Sequence, residues 1–245
     1  MAYGLTNSAD LEAGSSQYFS RADTASLSIT GDYAVEAWIK LESLPTGIVY
    51  PICEKNDAGT NRSTNFVVQS TLLTIGVDQL GDNTDVSSVD FDWGPSTGVW
   101  YHVAGSFNST TGRVDLFIDG SAVANATGTA TAIFDGGAST YIGFQGGTSR
   151  FFDGRISLVR VWNTQRTAAQ FDANKCVYFG AAESGMAAEW ALDDVLGGSG
   201  LNDTSGNTNT LTNVNTVTFG ADTPAVCAVA ATNPLRRRMM VGIGA

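Results

Sequence analysis

Histidine occurs once in this sequence, at position 102, and lysine only three times, at positions 40, 55 and 175. One imidazole leaves Ser-His-Asp and Cys-His schemes resting on a single side chain, because each needs a base beside its nucleophile. Against 24 acidic residues stand 13 basic ones, for a formal net charge of −11. Three of the arginines are packed into Arg236, Arg237 and Arg238, and without that triplet the body stands at −14. Phosphate backbones are bound by Lys and Arg with release of counterions, so no nucleic-acid partner is expected for this body. No apolar run approaches the ~20 residues needed to cross a bilayer, so no membrane span is expected. The opening "MAYGLTNSADLEAG" has neither a basic start nor an apolar stretch, and no secretory signal is read in it.

The three cysteines make an odd count with no C-x-x-C pairing, which argues against a cysteine metal site. Cys53, inside the apolar run "IVYPICE", reads as a buried free thiol. Cys176 and Cys227 bracket the last third of the chain. They either pair or stay free, since spacing alone does not decide.

Strand signals are frequent and helix signals scarce. "YAVEAWIKL" (33–41) alternates, with Val35, Ala37, Ile39 and Leu41 on one face and Glu36, Trp38 and Lys40 on the other. "NFVVQ", "LLTIGV", "GVWYHVAGSF", "RVDLFI" and "STYIGF" read as further strands. Asp119-Gly120, between "RVDLFI" and "SAVANAT", is a strong hairpin signal because both turn positions want positive φ. "NTQRTAAQFDAN" (163–174) is the one helical piece, with Thr164 or Thr167 as its cap. Many short strands joined by Gly, Ser, Thr and Asn turns predict an all-β, antiparallel two-sheet sandwich or jelly roll.

"FFDGRISLVRVWN" (151–163) has apolar residues on both strand faces: Ile156, Leu158 and Trp162 on one, Val159 and Val161 on the other. A strand of this kind packs the inter-sheet core on one side and is covered on the other, here by the helix that follows. Arg160 is then expected to pair with an acidic neighbour while its stem packs.

Four blocks resemble the concanavalin A-like jelly-roll family, in its laminin-G-like and pentraxin-like branch. "SSQYFSRADTASLSITGDYAVEAWIKLESLP" is similar to its opening strand pair, and "GVWYHVAGSFNSTTGRVDLFIDGSAVA" to its W-x-H-V-A strand and D-G hairpin. "STYIGF" and "FFDGRISLVRVWNTQRTAAQF" resemble the closing pair and short helix. "GMAAEWALDD" with "LNDTSGNTNTLTNVNTV" resembles a W-x-L-D and D-S-S-G-N segment that usually precedes the jelly roll; here it follows. The resemblance implies one sandwich over residues 1–232, with a core at 15–172 and a C-terminal segment, 176–227, packing back on it. The alternative is that residues 186–219 complete a neighbouring copy. Residues 233–245 form an Arg/Met-rich tail.

Some branches of the family cleave glycans with an E-x-D-x-(x)-E strand, and no such string occurs. That chemistry needs two carboxyls roughly 5–10 Å apart, whereas Glu36 and Glu42 are ~20 Å apart along their strand. His102 sits where the family carries a structural histidine. Calcium is a candidate cofactor, because family members hold it with loop carboxylates and carbonyls. Asp203, Asn207 and Asn209 form the first candidate set, and the loop of Asp78, Asp82 and Asp85 the second. The competing reading is that these residues make tight turns. Ser157 stands where many relatives carry an acidic residue, which weakens any ion tied to that strand. Trp93, in a turn-rich stretch, with Phe151 and Phe152 beside the Gly-rich "FQGGTSR" loop, are the candidate sugar platforms, against a reading as hydrophobic plugs.

The tail "NPLRRRMMVGIGA", with Met239 and Met240 after the arginines, reads either as a solvated end or as a docking peptide. The expectation is a non-catalytic binding or assembly module. Its resemblance to phage virion decoration and adhesion modules places it at a virion surface, or outside the cell after lysis. Its expected partners are a glycan, a capsid or tail protein, or further copies of itself. Alternatives are a free calcium-dependent lectin and a glycan hydrolase.

Overall fold

A computed structural model describes residues 4–57, 59–193 and 201–227. The tail arginines 236–238 and Met239 and Met240 lie outside the described residues. The chain opens with β1 (Ser8–Leu11), β2 (Tyr18–Arg21), β3 (Tyr33–Leu41), β4 (Val49–Pro51), β5 (Cys53–Asp57) and β6 (Asn61–Gln69). It continues through β7 (Leu72–Asp78), β8 (Val86–Asp92), β9 (Trp100–Asn108), β10 (Arg113–Ile118), β11 (Ser121–Thr127) and β12 (Thr140–Ile142). After β13 (Phe144–Gln145), β14 (Arg150–Phe151) and β15 (Gly154–Trp162) comes the helix α1 (Ala168–Asn174). The last strands are β16 (Met186–Trp190), β17 (Thr212–Val214) and β18 (Thr218–Gly220).

Two antiparallel sheets of eight strands each stack into a jelly-roll sandwich. The first runs β11-β10-β9-β3-β15-β1-β18, with β16 also on β15; the second runs β17-β2-β12-β5-β6-β7-β8, with β4 on β6. The alternation of β3 works as its sequence predicts: Val35, Ala37, Ile39 and Leu41 enter the inter-sheet core and Trp38 faces outward. Asp119 and Gly120 both take positive φ, 52° and 86°, and turn β10 into β11. Gly105 lets the sheets approach, since a Cβ there would lie 2.2 Å from Ile75 Cδ1.

β15 departs from simple alternation. Its register with β3 shifts between Ser157 and Arg160, and Leu158 takes φ 48°. This bulge moves one extra residue past the pleat and re-aims those that follow. Ile156 therefore shares the core with Val159 and Val161, while Leu158 and Trp162 pack in two separate outer clusters. The same break divides the free edge of β15, where residues 154–156 pair with β1 and residues 159–162 with β16. β17 adds to β2 and β18 to β1, so residues 186–220 supply strands to both sheets of this chain.

The outer face of the first sheet is covered by α1 and the chain around 175–180. Thr167 is the cap: its side chain accepts from Gln170 N, and the Gln170 side chain accepts from Thr167 N. That reciprocal pair starts the helix at 168, five residues later than the sequence suggests. Phe171 is fully buried under it, against Phe117. Cys176 and Cys227 are joined in a disulfide, which ties the 225–227 turn to this cover. Trp38 Nε1 donates to Lys175 O at 2.7 Å and Trp100 Nε1 to Asp222 Oδ1 at 2.9 Å, fixing both partners of that tie.

Candidate functional site

Covered surface cannot meet a ligand, so the polar groups beneath the first sheet's cover come first. Arg160 is fully buried, with Nη1 3.1 Å from Glu36 Oε1 and Nε 2.9 Å from Glu189 Oε1. It also donates to the carbonyls of Asn174 and Val177 and lies over the Phe179 ring. His102 Nε2 stands 3.0 Å from Glu36 Oε2, and Trp162 Nε1 donates to Glu36 Oε1 at 3.0 Å. Burial alone would raise the Glu36 carboxyl; the Arg160 charge and His102 outweigh it and hold the group at about 2. Every member of this network faces packed protein, and it pins the cover to the sheet.

The second sheet's outer face is only partly covered: Ser20 and Tyr141 on it are half-buried, and Glu54 is buried. On β2, β12 and β5 the register places Ser20, Tyr141 and Glu54 side by side on that face, while Phe19, Ile142 and Cys53 enter the core. Cys53 is the free thiol expected, pushed up to about 12 by burial. At the end of this face the small β13–β14 hairpin folds back beside β5 and closes a cleft of about 360 Å³. Asn56, Arg62, Gln145, Thr148 and Arg150 line it. A second hollow of about 100 Å³ adjoins it, sharing Asn56, Arg62 and Gln145. A volume of several hundred Å³ lies in the range of ligand sites. The apolar void beneath Tyr33 and Cys53 offers only about 20 Å³, room for one water at most.

Internal hydrogen bonds shape the cleft. Arg150 Nη1 donates to Gln145 Oε1 at 2.5 Å, Thr148 Oγ1 to Gln145 O at 2.7 Å, and Tyr141 OH to Asp57 Oδ1 at 3.1 Å. Gly146 permits the approach of hairpin to β5, because a Cβ there would fall 2.2 Å from Asp57 Oδ1. Ten buried side-chain polar atoms lack a hydrogen-bond partner among the described residues, and five belong to Glu54, Asn56, Arg62 and Ser63. Unpaired buried polar atoms are costly and rare; of these, Asn56 and Arg62 line the cleft and Ser63 the adjoining hollow, while Glu54 belongs to neither lining. Both oxygens of Glu54 are in this set. Burial is the largest influence on Glu54 and raises it to about 8, against the opposing pull of Gln145, Arg150 and Arg62.

An aromatic patch lies on the other face of the β13–β14 hairpin from Gln145 and Arg150. Tyr18 stacks on Phe144 at 4.5 Å between centroids, Phe144 on Phe151 at 4.9 Å, and Tyr141 meets Phe144 edge-on at 5.2 Å. All four rings are half-buried, so each keeps surface for a ligand.

The residues expected from sequence are placed unevenly. Phe151 belongs to this patch. Phe152 does not: just past the end of β14, it is fully buried in the core beside Tyr50. Trp93 packs on the core edge-on to Tyr101 at 4.6 Å and does not line the cleft. The proposed calcium set is a self-satisfied turn. The Asp203 carboxylate accepts from the amides of Glu189, Ser205 and Asn209 and from Ser205 Oγ. Asn207 Nδ2 donates to the carbonyls of Met186 and Ala187, and Asn209 is fully buried against Thr24 and Ser26. Asp78 likewise caps the amides of Leu80, Gly81 and Asn83. Among the described residues, carboxylates with metal-ligand spacing meet at Asp10, Glu12 and Glu42, where Asp10 already pairs with Arg155 at 2.5 Å.

Sequence reasoning missed Tyr18, Glu54, Arg62, Tyr141, Phe144, Gln145 and Arg150. The alternation of "PICEKND" and "STYIGF" carried part of the signal, since it places Glu54 and Tyr141 opposite core residues.

Residues 13–171 match the family described as the concanavalin A-like lectin/glucanases superfamily. No curated protein sequence is similar to this chain. Among solved structures, one similar fold is a proposed carbohydrate-binding protein of Bacteroides ovatus, with 20% identity, a TM-score of 0.67 and 89% of this chain covered. This chain spans 60% of that protein's length. A heptameric pentraxin from Limulus polyphemus aligns at 15% identity and a TM-score of 0.54, covering 87% of this chain and 97% of the pentraxin. The carbohydrate-binding module of a Ruminococcus gnavus sialidase, solved with α2,3-sialyllactose, aligns at 13% identity and a TM-score of 0.52, covering 71% and 98%.

Proposed function

The chain belongs to the concanavalin A-like lectin/glucanases superfamily, and from that premise we propose that it is a non-catalytic glycan-binding module whose ligand enters the cleft on the second sheet. The observation that carries this reading is a polar cleft lined by Asn56, Arg62, Gln145, Thr148 and Arg150, with a half-exposed aromatic patch, Tyr18–Phe144–Phe151, on the other face of the same hairpin. Sugars are recognised by that combination: rings meet their C–H faces and fixed polar groups meet their hydroxyls. The carbohydrate-binding names of the Bacteroides and Ruminococcus proteins support it.

A non-catalytic role is supported by the carboxylates present. Asp57, beside Glu54 at this cleft, is engaged by Tyr141 and Asn61, and the sequence has no E-x-D-x-(x)-E strand. A glycan array tests the reading. The protein should bind a defined subset of glycans, lose them on Tyr18→Ala, and release no reducing sugar from those it binds. An array without binding, or release of reducing sugar, contradicts it.

A second reading, as a virion decoration or adhesion protein, rests on the resemblance and on the Arg/Met tail. It predicts that removing residues 234–245 abolishes attachment to particles while glycan binding survives.

A further inference from the structure

The described residues of this acidic protein use most of their cations internally. All three lysines pair with aspartates: Lys40 with Asp222, Lys55 with Asp23 and Lys175 with Asp172. Arg113, Arg155 and Arg160 likewise hold carboxylates. Arg62 and Arg150 are exceptions, with no carboxylate in ion-pair range among the described residues, and both line the same cleft. Arg21 and Arg166 also lack such a partner, but Arg166 lies over the Trp162 ring on the covered sheet and neither lines the cleft.

The negative groups nearby are already engaged. Asp57 accepts from Tyr141 OH and Asn61 Nδ2, and Asp78, at the adjoining hollow, caps three backbone amides. Glu54 is fully buried, and burial keeps its carboxyl protonated near neutral pH, so it adds no charge to oppose an anion. The unspent charge at the cleft is therefore positive. A guanidinium presents paired N–H donors that fit a carboxylate in plane.

We propose that this cleft takes an acidic sugar, with the ligand carboxylate held by Arg62 and Arg150. This rests on the glycan-binding reading and narrows it to one substrate class. Asn56 is then left to meet hydroxyls, and Arg62, of the same lining, has an unpartnered Nε.

Calorimetry on the full chain tests it with matched pairs: 3′-sialyllactose against lactose, and a galacturonic acid trimer against its methyl ester. The expected result is an acidic member bound at least tenfold more tightly than its neutral counterpart in one pair. Arg150→Gln, at an exposed position, should remove about ten- to a hundredfold of that affinity, the range of a charge-assisted hydrogen bond, and with it the preference for the acidic member of the pair. Arg62→Gln should do the same. Equal affinity within both pairs, or an acid preference that survives Arg150→Gln, overturns the acidic-sugar assignment and leaves glycan binding standing. No binding of these sugars, together with an empty glycan array, overturns both.

Discussion

Arg160 places Nη1 3.1 Å from Glu36 Oε1 with neither side chain reaching solvent, and its Nε holds Glu189 Oε1 at 2.9 Å. One arginine thus bridges β3, β15 and β16, with the chain that covers them bound through its carbonyl contacts. Arg160→Met keeps most of the packing and strands two buried carboxylates. Removing one partner of a buried pair costs about 3–5 kcal/mol. Urea unfolding should show a loss in that range with glycan binding retained in the folded fraction. A loss below about 1 kcal/mol would mean the pair is not enclosed as described.

Two buried glutamates give stability opposite pH dependences. Glu36 is depressed from 4.5 to about 2, so its contribution is present above pH 4.5 and is lost as pH falls towards 2. Glu54 is raised from 4.5 to about 8; the native state keeps a proton that the unfolded chain has released, so stability falls as pH rises from 4.5 to 8. The charged groups facing Glu54 are Arg62 and Arg150, and both are included in that shift. Glu54→Gln should flatten the decline between pH 4.5 and 8, worth a few kcal/mol. Glu36→Gln should flatten the acid limb instead. Unfolding free energies measured across pH 2–9 would refute this if either variant kept the wild-type slope.

Phe151 and Phe152 are neighbours with different tasks. Phe151→Ala removes a ring of the half-exposed patch and should weaken glycan binding by about 1 kcal/mol with a smaller effect on folding. Phe152→Ala opens the core and should cost about 3–5 kcal/mol of stability. Thermal unfolding and array titration of the pair separate the roles; interchangeable effects would contradict the placement.

The Cys176–Cys227 disulfide closes a loop over a separation of 51 residues. Loop-closure entropy for that length corresponds to about 4 kcal/mol. Reduction, or Cys176→Ser with Cys227→Ser, should lower the unfolding midpoint and leave ligand affinity intact, since the bond lies on the first sheet's cover. Loss of affinity at unchanged fold would show that the two faces are coupled.

Much of this fold is legible in the sequence because strand periodicity and turn chemistry are local. "YAVEAWIKL" states its own two faces, and Asp119-Gly120 its turn. β15 was harder: the bulge at Leu158 shifts Ile156 into register with Val159 and Val161, and nothing in "GRISLVRVW" announces a positive φ at a leucine. The cleft was harder still. It joins β5, β6 and the 144–151 hairpin, so its residues are scattered over nearly a hundred positions. Arg62 and Arg150 are unremarkable until the fold shows that no carboxylate of the described residues pairs with either of them. Asp203, Asn207 and Asn209 show the converse: their composition suits calcium, but their lone pairs and amides satisfy the local backbone and side chains.

The most direct test of the account is an amide chemical-shift titration of the labelled protein with a glycan selected on the array. The account predicts shifts concentrated at residues 54–57, 62–65 and 141–151, with Tyr18 among them. Shifts centred on Trp93, or on the 203–209 turn, would place the ligand elsewhere and contradict it.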